Sequence, residues 1–144
     1  MLYRLARPDD AGALIRLNAA FNEVDDISPE DVRRSLMKSA EVVIVTEKEG
    51  NVVAFCCAQV HHSFCYPAPV AEVTEMYVDE AHRRQGAASG MLHFLEDHLQ
   101  TAYGVDEIHL LTGTHNHAAQ SAYKMAVFTP KNEVYMTKEV PRNR

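Results

Sequence analysis

The sequence predicts a mixed α/β sheet covered by helices. Two observations carry this. Strand-patterned runs first follow one another across a short turn, as hairpins do, and later alternate with helix-patterned runs. No linker, repeat or low-complexity stretch interrupts them, so residues 1–144 read as a single domain with length enough for one sizeable core.

The elements follow in order. Residues 2–6 form a short strand that stops at Pro8. Pro8, Asp9 and Asp10 open a helix, because proline suits the first helical position and acids suit the positive end of the helix dipole. Leu14, Leu17, Phe21 and Val24 give that helix one apolar stripe. Ser28-Pro29-Glu30-Asp31 starts a second helix, with Val32 and Leu36 on its buried face. The β-rich runs 42–46 and 52–60 are joined at Glu47-Lys48-Glu49-Gly50-Asn51 as a hairpin. Residues 61–69 are a loop, and 70–78 a third long strand. Met91, Leu92, Leu95 and Leu99 line a helix over 87–103 that ends at Gly104. A strand at 107–112, a helix at 117–125 and a final strand at 134–140 complete the chain.

Composition limits the function. A hydrophobic fraction of 47% with 24% charged residues is ordinary for a globular protein. No apolar run approaches the about 20 residues that cross a bilayer. Two arginines and a proline stand where a signal peptide needs apolar residues, so the expectation is a cytoplasmic protein with no membrane partner. Three cysteines, two of them adjacent in an apolar run, read as reduced core thiols rather than a disulfide framework or a nucleophile. The net charge of -6 argues against a nucleic-acid partner, which needs a basic face. Glu23, Asp25, Asp26, Glu30 and Asp31 crowd a segment without Lys or Arg, either as a solvated loop and helix start or as a funnel for a cationic substrate.

Chemistry concentrates in the step from the strand at 70–78 to the helix at 87–103. The first N–H groups of a helix lack partners inside it and, with the dipole, attract anions. Gly86 lets the backbone approach a ligand with no Cβ in the way, and Ala87, Ala88 and Ser89 keep the next positions small. Arg83 and Arg84 add charged donors for phosphate. Together these suit a diphosphate. There is no Gly-Lys-Ser/Thr ending of a P-loop and no Gly-x-Gly-x-x-Gly of a dinucleotide fold.

Arg83-x-x-Gly86-x-Ala88 resembles the Arg/Gln-x-x-Gly-x-Gly/Ala coenzyme A loop of the GNAT superfamily of N-acetyltransferases. The surroundings resemble it too. Glu72-Val73-Thr74-Glu75-Met76-Tyr77-Val78-Asp79 looks like the family's fourth strand, and Asn116-x-x-Ala119-x-x-x-Tyr123 like its second cofactor motif. The opening, residues 3–10, is similar as well, so the likeness spans nearly the whole chain. The Arg-Arg-Gln-Gly wording further resembles the compact small-molecule members, some of which modify aminoglycosides.

The resemblance implies the GNAT fold, a mixed but mostly antiparallel sheet with helices on both faces, and acetyl-CoA as co-substrate. The backbone of Met76, Tyr77 and Val78 would pair with the pantetheine arm. The N–H groups of Arg84, Gln85, Gly86, Ala87, Ala88 and Ser89 would hold the diphosphate. Asn116 would bond the cofactor's amide region, Ala119 belongs to the same motif, and Tyr123 would lie near the sulfur.

Acetyl transfer to an amine needs a neutral amine, a polarised thioester and a protonated leaving thiolate. A carboxylate can take the ammonium proton, and the candidates are Glu72, slightly favoured, and Glu75. Their strand parity differs, so only one faces the cleft unless a bulge intervenes. Tyr123 is the candidate acid, and a backbone N–H near Tyr77 the oxyanion donor. The acceptor expected is a primary amine of a small cationic molecule such as an aminoglycoside or polyamine; a protein N-terminus or lysine competes. A different class, a silent acyl-CoA sensor or interaction module, would keep the loop without Glu72, Glu75 or Tyr123. Family analogy suggests a homodimer. His61-His62-x-x-Cys65, with His115 and His117, matches no zinc spacing, so no metal is expected. Finally, Ala126-Val127-Phe128 replaces the family's usual Leu-Gly-Phe; a β-branched valine suits positive φ poorly, which predicts another turn geometry.

Overall fold

Five strands lie side by side in chain order in a computed structural model that describes residues 1–38 and 40–143. They are β1 (Leu2–Leu5), β2 (Val42–Lys48), β3 (Asn51–His61), β4 (Val70–Val78) and β5 (Glu107–Leu110). The first four pair antiparallel, whereas β5 runs parallel to β4. A parallel neighbour demands a crossover, and α3 (Ala87–Tyr103) supplies it. The other helices are α1 (Ala11–Asn22), α2 (Pro29–Lys38) and α4 (His117–Met125).

Strand alternation sends apolar side chains to both faces. Val42, Ile44, Ala54 and Cys56 meet Met91, Leu95 and Leu99 of α3. Val43, Val45, Phe55 and Cys57 meet Leu14 and Leu17 of α1, with Val32 and Leu36 of α2 packed at the margin. Helices therefore cover both sides, as the sequence implied. Glu49 and Gly50 close the β2–β3 hairpin with φ of 51° and 81°, the double left-handed geometry of a tight hairpin turn. Gly104 ends α3 at φ 69°.

Four local expectations need correction. Pro8–Asp10 form a 3₁₀ turn ahead of α1, and Asp10 is buried there, holding Arg4. Val24 lies beyond the end of α1 at Asn22, where Glu23 turns left-handed and closes the helix. Val127 does adopt positive φ, 68°, and the turn closes through Phe128 N–H to Tyr123 O at 2.9 Å. The geometry expected from glycine is thus imposed on a valine by the hydrogen bonds that end α4. The strand expected at 134–140 is absent: residues 129–143 have no regular secondary structure. Val134, Met136 and Val140 are 85%, 84% and 82% exposed, so they bury too little to hold a strand in place.

Candidate acyl-transfer site

β4 and β5 are partners only over Val70–Val73 and Glu107–Leu110. Beyond Val73 the β5-facing edge of β4 has no strand beside it, and a cleft of ≈ 250 Å³ opens. Its walls include Thr74, Glu75 and Met76 on one side, and Leu111, Asn116 and Tyr123 on the other. The parting has a local cause. Cys57 pairs with Glu75 and Ala58 with Val73, so Thr74 is an extra residue on β4. Such a bulge bends a strand and adds twist. The Thr74 hydroxyl donates to the Cys57 carbonyl at 3.3 Å.

The bulge settles the parity of the two glutamates. Glu72 opposes Gln59 and Glu75 opposes Cys57; residues opposed across antiparallel strands share a face, and Gln59 and Cys57 are two apart. Both carboxylates therefore face the α1 side. Their surroundings differ. Glu75 lines the cleft with Tyr123. Glu72 is not among the cleft's lining residues, and its Oε2 lies 3.4 Å from His61 Nε2.

One carboxylate escaped sequence reasoning. Glu41, just before β2, is half-buried, and its carboxyl is pushed up by burial first and by Glu75 second. A signal existed: Glu41 continues the alternation of Val43 and Val45 toward the face that carries Glu72 and Glu75. Phe21 was read only as helix stripe. It also borders the cleft and stacks on Tyr77, ring centroids 5.2 Å apart.

Tyr123 meets Phe128 edge-to-face at 5.9 Å. Burial, with a smaller contribution from Cys56, raises its phenol pKa, so the hydroxyl stays protonated and able to donate at neutral pH. Burial pushes the Cys56 thiol up to about 12 and raises that of Cys57 as well. Neither suits a nucleophile at neutral pH. The histidines of loop 61–69 are exposed, and among the described residues no three His, Cys, Asp or Glu side chains converge as a metal site.

The loop before α3 has the shape an anion needs. Arg84 and Gly86 are both left-handed, with φ of 60° and 87°. Alternating backbone handedness of this kind turns successive N–H groups to one concave side. Gly86 is the N-cap of α3, no side chain caps the helix there, and the space where its Cβ would stand is open. A diphosphate fits this backbone. Arg83 also has a local partner: its Nε donates to the Val78 carbonyl at 3.0 Å, and its guanidinium lies 5.5 Å over the Tyr77 ring. It fastens the loop to the end of β4. Asn116 also has local work, since its side chain accepts the Ala119 N–H at 3.2 Å and caps α4. Met76, Tyr77 and Val78 pair with β3 on one side, while their β5-facing edge has no strand beside it, where a ligand's amides have backbone groups to meet.

The acidic segment 23–31 divides. Glu30 pairs with Arg33 at 3.2 Å and Asp31 with Arg34 at 3.0 Å on the surface of α2. Glu23, Asp25 and Asp26 are exposed between the helices.

A five-stranded mixed sheet whose fourth strand parts from the fifth beside an open helix N-terminus defines an acyl-CoA-dependent acyltransferase fold. The chain belongs to the acetyltransferase (GNAT) family, whose profile matches residues 11–127 and whose members in general use acetyl-CoA as co-substrate. No curated protein matches in sequence. Among solved structures, the chain is similar to an aminoglycoside acetyltransferase, meta-AAC0020 from an uncultured soil metagenomic sample, in complex with sisomicin. The TM-score is 0.84 at 18% identity, covering 98% of this chain and 96% of that one. It is also similar to a ribosomal-protein-alanine N-acetyltransferase from Brucella melitensis biovar Abortus 2308, with a TM-score of 0.82, 16% identity and coverage of 96% and 100%. A possible acetyltransferase from Clostridium difficile 630 gives 0.80 and 18%, covering 98% of each chain. At such identities these likenesses establish the fold. Among the described residues no helix is long and apolar enough to cross a membrane.

Proposed function

We propose that this protein transfers an acetyl group from acetyl-CoA to a primary amine of a small cationic molecule, by direct attack, with Glu75 as base and Tyr123 as acid. The observation that carries this reading is the Thr74 bulge, which sets Glu75 on a cleft wall together with Tyr123. Acetyl-CoA, when bound, supplies the thioester. The loop 84–89 holds its diphosphate by backbone N–H groups, and the open edge of Met76, Tyr77 and Val78 orients its arm. Glu75 takes a proton from the acceptor's ammonium, which frees the nitrogen lone pair for attack. A new N–C bond forms, an N–H of β4 near Tyr77 steadies the oxyanion, and the C–S bond breaks as the Tyr123 hydroxyl protonates the sulfur; the nitrogen's second proton leaves through solvent and restores the Tyr123 phenol, giving a neutral amide and free thiol. Three carboxylates near the cleft, Glu41, Glu72 and Glu75, favour a cationic acceptor, such as an aminoglycoside or polyamine, over a neutral one. Glu72, outside the cleft lining and beside His61, is read as an acceptor contact. The aminoglycoside enzymes among the structural neighbours support the same substrate class, while the ribosomal-protein enzyme keeps a protein N-terminus as the second acceptor to assay.

The test is thiol release from acetyl-CoA across a panel of cationic amines and peptides. Glu75→Gln and Tyr123→Phe are each expected to lower kcat about a hundredfold, the ordinary scale for a proton-transfer group, while coenzyme A affinity is unchanged. Binding without turnover on every amine, with both variants indistinguishable from wild type, makes the protein an acyl-CoA sensor instead.

A further inference from the structure

The loop before α3 is braced from the far edge of the sheet by a residue outside both cofactor motifs. Tyr3 of β1 donates its hydroxyl to the Gly86 carbonyl at 3.2 Å. That carbonyl also accepts the Gly90 N–H at 2.9 Å, the bond that begins α3. Two donors therefore converge on one oxygen. The consequence follows from peptide planarity: the Gly86 carbonyl and the Ala87 N–H belong to the same rigid unit and point opposite ways. Fixing the first aims the second out of the helix end.

The glycine at 90 serves the same contact. A β-carbon built there would overlap the Tyr3 ring, because the ring lies directly on the α3 backbone. β1 is in turn held in place beside Tyr3. Arg4 donates to both carboxylate oxygens of Asp10, at 2.8 and 2.9 Å, and to Glu47 at 3.0 Å. A second brace reaches the loop from the β2–β3 hairpin, where Lys48 Nζ lies 2.7 Å from Gln85 Oε1.

We propose that Tyr3 is a positioning residue for the coenzyme A diphosphate, acting through the Gly86 carbonyl to aim the Ala87 N–H, with Gly90 as the seat of its ring. The inference rests on reading loop 84–89 as the diphosphate cradle. It explains why an aromatic on the first strand and a glycine inside a helix belong to one device: interior glycine costs a helix stability, and here the contact offsets that cost.

Tyr3→Phe in the full chain removes the hydroxyl and keeps the ring. Calorimetric titration with coenzyme A, and with adenosine 3′,5′-bisphosphate extended to its 5′-diphosphate, reads the effect on ligands that share the diphosphate. Both dissociation constants are expected to rise about three- to tenfold, the scale of one hydrogen bond. The ligand-free melting temperature is expected to stay within about 2 °C, because the hydroxyl is exposed. A variant that melts earlier yet binds both ligands as wild type does would show a packing role only, overturning the inference and leaving the reading of the loop intact. Wild-type protein that binds neither ligand overturns both. Gly90→Ala provides the second arm: displacing the ring should weaken both ligands at least as much, and a folded Gly90→Ala chain with wild-type affinity sinks the proposal.

Discussion

Arg4 and Asp10 meet through two parallel hydrogen bonds with side chains 14% and 9% exposed, so the pair is largely out of water. The Asp10 carboxyl also accepts the Arg7 N–H at 2.7 Å, which ties the chain's first turn to β1. The Arg4 hydrogen bonds, foremost, hold the Asp10 pKa below the usual carboxylate value, outweighing burial. A lowered pKa contributes stability that is present above the unfolded value of about 3.9 and lost as pH falls through the folded one. Asp10→Asn is therefore expected to cost about 2 kcal/mol at neutral pH, since it removes the two charged hydrogen bonds of Asp10 and leaves Glu47 as the partner of the Arg4 guanidinium. The gap to wild type should narrow below about pH 4, as thermal melts across pH would show. Val127 makes the opposite prediction. It holds φ 68° while its side chain is 84% exposed, so it has strain without burial to offset it. Val127→Gly should raise stability by about 1 kcal/mol in denaturant titration. The pairing of Arg4 with Asp10 was invisible in sequence, where Asp10 read only as a helix-start acid, because ion pairs between elements depend on how the chain returns.

Among the elements, β4 carries most of the candidate site. Its pattern was legible as a strand, and its glutamates as candidates, but parity alone would have turned one of them away from the cleft. Thr74 decides the matter by being extra: one inserted residue keeps Glu72 and Glu75 on one face and bends the strand where β5 stops. Deleting Thr74 restores regular pairing of Val73 and Glu75 with Ala58 and Cys57. The expected protein folds, with a cooperative melt, yet loses acetyl transfer by about a hundredfold or more because the straightened strand closes the cleft. Full activity in the deletion variant would show that the parting of β4 and β5 has another source. α2 shows the converse lesson. Its acids suggested a funnel, whereas Arg33 and Arg34 one turn on neutralise two of them.

At the scale of the whole molecule, the sheet and two cores were legible because amphipathic periodicity fixes which side of each element is buried. The segment 134–140 was not, since its β-branched and aromatic residues state a preference that only a neighbouring strand can satisfy. With residues 129–143 exposed and without regular structure, trypsin should cut first at Lys131 or Lys138, leaving the rest protected, as mass spectrometry of a timed digest would reveal. Early cleavage at Arg16 in α1 or Lys48 at the end of β2 would contradict the fold described.

By itself, then, the sequence determined the order of elements, the two apolar faces and the open helix start at Gly86, since each depends on local spacing and backbone freedom. Only the tertiary structure decided which carboxylate lines the cleft, that Glu41 stands beside it, that Arg83 fastens the loop, and that Tyr3 rests on Gly90. Those are facts of register and of contact between segments distant in sequence. A single bulged residue or a glycine under a ring sets them, and no pattern within one segment encodes where its partner will lie.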